Sequence, residues 1–164
     1  MTAKTLLYVL MNELSAFSKP FWQNPYILLG GVVDLVVLDQ ISKYAVRNWM
    51  EAPITLVPEW LTITFVENHG VAFSLPVPGG VSGVIAVVVS LWLGYQLVTQ
   101  RLAATTRLAY VLIMAGAIGN LIDRVWHGAV TDFISVSTFP VFNAADSFIC
   151  VGVALMLWHE ITSG

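Results

Sequence analysis

Four long apolar runs dominate the chain, at residues 26–46, 80–99, 108–126 and 143–161. A bilayer core about 30 Å thick needs roughly 20 apolar residues at about 1.5 Å of rise each, so each run is long enough to cross as a helix. The second run holds no ionisable side chain. The first holds Asp34, Asp39 and Lys43, whereas the charges of the third and fourth gather towards their ends, Asp123 and Arg124 in GNLIDRVW and Asp146 in FNAADS. Between the first two runs, residues 47–79 change period: Ile54, Leu56, Leu61, Ile63 and Phe65 interleave with Thr55, Thr62 and Thr64. Alternation of β-branched and aromatic residues with period two predicts short strands, punctuated by Pro53, Pro58, Pro76 and Pro78.

Ahead of these runs, residues 1–25 place Leu6, Leu7, Leu10, Met11, Leu14 and Phe17 at helical spacing, interrupted by Asn12, Glu13, Ser15 and Lys19-Pro20. A cleaved signal peptide has an uninterrupted apolar core, so this segment reads as an amphipathic lead-in at the membrane surface, with a family-specific extension as the alternative. The expected architecture is mainly α. It is a polytopic membrane protein with four transmembrane helices in one domain over residues 26–161, a small extracytoplasmic β-rich cradle over residues 47–79, and an N-terminal amphipathic segment.

Composition removes the competing classes. Of 164 residues 57% are hydrophobic and only 10% charged, against about 25% charged in soluble domains, too little polar surface for a water-soluble fold. Seven Lys and Arg against ten Asp and Glu leave a net charge of -3, with no basic stretch to follow a phosphate backbone, so no nucleic-acid partner is expected. Cys150 is the sole cysteine; it has no disulfide or metal partner and reads as a small residue facing helix or lipid, away from the candidate chemistry along the fourth run. The lead-in carries Lys4 and Lys19 and the loop before the third run Arg101 and Arg107, while residues 127–142 carry neither Lys nor Arg. The positive-inside rule then puts both termini in the cytoplasm and residues 47–79 and 127–142 outside.

Charges within a membrane call for a partner or a function. Asp39 and Lys43 stand one helical turn apart and can pair, a pair that reads equally as a helix-end anchor at the interface. Asp34 has no such partner. Asn120 lies on nearly the same face as Asp123, and with Arg124 these residues could bind a polar backbone or tie helices together. Asp132 and Asp146 fall at one membrane level on either side of a short loop. If that loop folds back, the carboxyls face each other, cannot both ionise, and share one proton, the arrangement with which an aspartic hydrolase activates water and polarises a carbonyl. A helix cap at Asn143 or Asp146 would use the same residue types. Carboxyls at several depths would instead suit a small transporter or channel subunit relaying protons. His69, His127 and His159 lie apart and no ligand cluster for a metal is present, so no metal or cofactor is expected.

Five segments, LDQISKYAV, VENHGVAFSL, GAIGNLIDRV, GAVTDFI and FNAADS, together resemble the prolipoprotein signal peptidases, the type II signal peptidases of bacteria, in order and spacing over about residues 26–160. The resemblance implies four spans with both ends cytoplasmic, a periplasmic strand cradle with a short helix over the site, and residence in the bacterial inner membrane. It also implies cleavage of lipoprotein precursors just before a diacylglyceryl-modified cysteine, with membrane lipids and lipid-modified prolipoproteins as partners. On that pattern Asp132 and Asp146 are the catalytic pair, and Asp39, Lys43, Asn68, Gly70, Asn120, Asp123, Arg124 and Asn143 line or support the substrate pocket. Three features depart from it: Asp34, the 25-residue lead-in, and a shortened segment between Asp132 and Phe139.

Overall fold

The computed structural model describes residues 5–6, 20, 23–70 and 79–163. Most of the lead-in and residues 71–78, with Pro76 and Pro78, lie outside the described residues.

Helix α1, Pro25–Trp49, starts where the Asn24 carboxamide oxygen accepts the Tyr26 N–H at 3.0 Å, with Pro25 at the first helical position, where its missing N–H costs nothing. Strands β1, Ile54–Val57, and β2, Leu61–Asn68, come next. Then come α2, Gly79–Thr99, α3, Ala104–His127, strand β3, Val130–Val136, and α4, Ala144–Ser163. All four helices are long and apolar enough to cross a membrane, and each extends up to a few residues beyond its apolar run because flanking polar residues continue the turn.

Helix α3 is the axis of the bundle. Half of its most apolar stretch is buried, far more than in the other three, and α1, α2 and α4 all pack against it. Val32, Leu93, Leu97, Tyr110, Val111, Met114 and Ala115 form the apolar core between α1, α2 and α3. Helices of membrane bundles approach their neighbours through small residues; here a Cβ on Gly119 would stand 2.5 Å from Asp39 Oδ2. Helix α3 ends at Gly128, whose φ of 74° and N–H donated to Arg124 O form a left-handed cap.

The sheet is antiparallel in the order β1-β2-β3. The alternating pattern located β1 and β2. It did not locate β3, whose first four residues are all buried, so the segment around Asp132 reads as a loop in the sequence and is a strand in the fold. Val66 pairs with Asp132 and Asn68 with Val130, and β2 carries one extra residue between Ile63 and Val66, a bulge beside the Asp132 register position. After β3 the chain turns at Ser137, whose φ is 46°, and Phe142 pairs back onto Ile134. The short connection therefore returns Asn143 and α4 to the side of β3. Among the described residues no short helix lies beside the sheet.

Candidate active site

The polar residues of the sheet end form three layers, each positioning the next. The deepest joins α1 to α3. Asp39 and Lys43 are fully buried and 2.9 Å apart; Lys43 Nζ also stands 3.5 Å from Asp123 Oδ2. Gln40 Nε2 donates to Asp39, to Gly119 O and to Asp123 Oδ1 at 3.1–3.2 Å. Arg47 Nη2 lies 3.0 Å from Asp123 Oδ1. Two carboxylates thus face two cations, the balance a buried ionic cluster needs. The helix-end reading of Asp39 and Lys43 is corrected here: both have 0% exposure, and Asp39 Oδ1 accepts the Ala145 N–H at 3.0 Å, which docks the start of α4.

The middle layer is made of carboxamides. Lys43 Nζ donates to Asn120 Oδ1 at 2.9 Å, which turns the Asn120 amide nitrogen outwards, onto Asp146 Oδ1 at 2.8 Å. A cation at one end of an Asn fixes which end is the donor. Asn143 Nδ2 donates to Asn120 Oδ1 at 3.2 Å and to Asp132 Oδ1 at 2.7 Å. Asn68, on the Asp132 face of the sheet because it lies two residues beyond Val66, donates Nδ2 to Asp132 Oδ2 at 2.9 Å and accepts the Gly70 N–H at 2.9 Å.

The outer layer is the pair Asp132 and Asp146. Asn143 Oδ1 accepts the Asp146 N–H at 2.9 Å, and Asp146 Oδ2 accepts the Asn143 N–H at 3.3 Å, a reciprocal capping box. The cap and the site are therefore the same residues. Burial pushes the Asp132 carboxyl up to about 6, and the nearby Asp146 adds to the rise; hydrogen bonds from Asn68 and Asn143 oppose it. A group that titrates there can hold or release a proton near neutral pH.

Two cavities flank the pair. One of about 350 Å³ lies between residues 139–142 and α4; Asp132, Asp146, Phe139, Phe142 and Cys150 line it. The other, about 600 Å³, lies between α2 and α3, with Asn68, His69, Val84, Val88, Leu121 and Arg124 on its walls. Arg124 Nη2 donates to Gly70 O at 3.2 Å, which ties Gly70 to the wall of this cavity. Cys150 is corrected from its expected remoteness: one turn after Asp146, it shares the cavity of the carboxyl pair.

The ten residues that the resemblance assigns to the site all converge at this end. Asp34 does not; it is exposed on α1, in a separate groove with Arg107. Three contributors were missed. Gln40 and Arg47 continue the polar stripe of Asp39 and Lys43 along α1, a signal present at helical spacing. Thr131, whose N–H donates to Asp123 Oδ2 at 2.9 Å, had none, since a threonine in an apolar run is unremarked.

Comparison with known proteins gives the family. Residues 31–162 match the family described as signal peptidase (SPase) II. The lipoprotein signal peptidase of Chromobacterium violaceum is 44% identical over 135 residues, covering 75% of this chain and 83% of that protein. That of Shewanella halifaxensis is 42% identical over 159 residues, covering 87% and 91%. A solved bacterial membrane enzyme superposes with a TM-score of 0.75 at 31% identity, covering 83% of this chain and 88% of the other. The chain is a multi-pass membrane peptidase and belongs to the signal peptidase II family.

Proposed function

We propose that this protein is an aspartic endopeptidase that removes the signal peptide from diacylglyceryl-modified prolipoproteins, cutting just before the lipidated cysteine. The observation that carries the reading is that Asn143 ties Asp132 and Asp146 together at the wall of one cavity. With one proton between them, the Asp146 carboxylate takes a proton from water as the water oxygen attacks the scissile carbonyl. Asp132 gives its own proton to the carbonyl oxygen. Collapse of the resulting diol breaks the C–N bond, the amine leaves with a proton, and the pair recovers its single proton.

The remaining residues divide by depth. Asn68, Asn120 and Asn143 orient the carboxyls, Asp39, Lys43 and Asp123 hold the carboxamides and the start of α4, and Arg124 with Gly70 borders the peptide path. Apolar cavity walls suit acyl chains, and each buried methylene contributes roughly 0.8 kcal/mol, enough for two chains to dominate recruitment. The Lys and Arg distribution supports cytoplasmic termini and a site near the outer face of the inner membrane, with residues 26–161 as the peptidase domain and residues 1–25 as a surface lead-in.

The test is cleavage of a lipid-modified precursor by purified protein in lipid, with the products resolved by size. Asp132→Asn and Asp146→Asn should each abolish turnover while the protein still folds, and the double variant should be little worse than either. Full cleavage by either single variant, or equal cleavage of an unlipidated precursor, would contradict the proposal.

A further inference from the structure

One turn beyond Lys43, the Arg47 side chain leaves α1 and reaches two other elements. Its Nε donates to Thr131 Oγ1 on β3 at 2.6 Å. Its Nη1 meets Nε2 of His127 in the last turn of α3, and its Nη2 lies 3.0 Å from Asp123 Oδ1 without an N–H aligned on that oxygen. The other oxygen of Asp123 accepts the Thr131 N–H. Arg47, Asp123 and Thr131 therefore close a ring that grips the main chain one residue before Asp132. Strand alternation sends the Thr131 and Asp132 side chains to opposite faces, and Arg47 lines neither cavity beside the carboxyl pair.

We propose that Arg47 is a positioning residue for peptide hydrolysis: its guanidinium sets the backbone at Thr131, and through it the Asp132 carboxyl against Asp146. This inference rests on the two-carboxyl reading above. The planar fork matters because it touches three partners on two elements at once, Thr131 on β3 and His127 and Asp123 on α3, which a lysine ammonium on a flexible stem does not reproduce. Removing the fork still leaves Asp123 with Lys43, Gln40 and the Thr131 N–H, so the buried carboxylate is not stranded and the fold survives.

The experiment measures kcat and KM separately, in lipid, for full-length Arg47→Met, Arg47→Lys, Thr131→Val and the Arg47→Met/Thr131→Val double variant, with Asp132→Asn as reference. Misplacing a reacting group by about 1 Å costs up to about a hundredfold. Arg47→Met should lower kcat about ten- to hundredfold with KM within about twofold, Arg47→Lys should fall between it and the parent, and the double variant should be no slower than Arg47→Met. Parental kcat in Arg47→Met, a loss confined to KM, or multiplying losses in the double variant overturns the proposal while an inactive Asp132→Asn leaves the two-carboxyl reading standing. An active Asp132→Asn removes that reading and this one with it. Should Arg47→Met fail to fold, Thr131→Val, nearly isosteric, decides alone: parental kcat there overturns the proposal, and a reduced kcat at unchanged KM supports it.

Discussion

Asn143 donates its side-chain N–H to Asp132 at 2.7 Å while accepting the Asp146 N–H on its carboxamide oxygen at 2.9 Å. One side chain thereby caps a helix and sets the relation of two carboxyls. Asn143→Ala should lower kcat at least tenfold and cost about 1 kcal/mol of stability from the lost cap. Asn143→Ser, which keeps a capping oxygen but loses the amide N–H donated to Asp132, should recover the stability and not the rate. Thermal unfolding and turnover, measured side by side, separate the two losses.

The raised Asp132 carboxyl predicts the form of the pH profile. The pair works with one proton and loses it as pH rises through about 6, so kcat/KM should fall on the alkaline side of about pH 6. Substrate covering the cavity desolvates the pair further, which favours the protonated form, so the alkaline limb of kcat should lie higher. Asn68→Ala removes a hydrogen bond that holds Asp132 down and should move both limbs upwards; a downward move would contradict the assignment.

Stability carries the same signature with a fixed sign. The folded Asp132 carboxyl, at about 6 against an ordinary 3.8, binds a proton more readily than the unfolded chain, so its contribution is lost as pH rises through that window. The loss amounts to about 3 kcal/mol once pH is above both values. Relative to the parent, Asp132→Asn should therefore become more stable by up to that amount between about pH 4 and pH 7, read from unfolding midpoints in detergent. An unchanged difference across this range would show that Asp132 does not titrate there.

Cys150 offers a probe of the cavity. A bulky maleimide on Cys150 should block cleavage, a methylthio group should have little effect, and Cys150→Ala should be active and resistant. Inhibition persisting in Cys150→Ala would place the block elsewhere, and full activity after bulky labelling would remove the cavity from the substrate path.

Gly119 tests the close approach on which the polar layers depend. A methyl there would stand 2.5 Å from Asp39 Oδ2, forcing apart α1 and α3 at the Asp39–Lys43 pair. Gly119→Ala should cost about 1–3 kcal/mol and lower activity as well, whereas Gly30→Ala, with open space around it, should do neither.

Features set by local order along the chain are legible without the fold. Span length and hydropathy located four helices, period-two alternation located β1 and β2, and the five segments identified the family. Asp39 and Lys43 pair because four residues make one helical turn, and that too is local. Other features exist only through packing. Strand β3 gave no alternating signal because α1, α3 and β2 bury both of its faces around Val130, Thr131 and Asp132. Asp39 and Lys43 are interior because α3 approaches α1 at Gly119, not because of anything within α1. Arg47 and Thr131 matter only once β3 lies against the ends of α1 and α3, 84 residues apart in sequence. Periodicity records which face of an element is apolar; it does not record which polar group on another element that face meets. Burial excludes water from these groups, so each must find its hydrogen-bond partner within the protein, and only the packing of α1, α3, β3 and α4 supplies those partners.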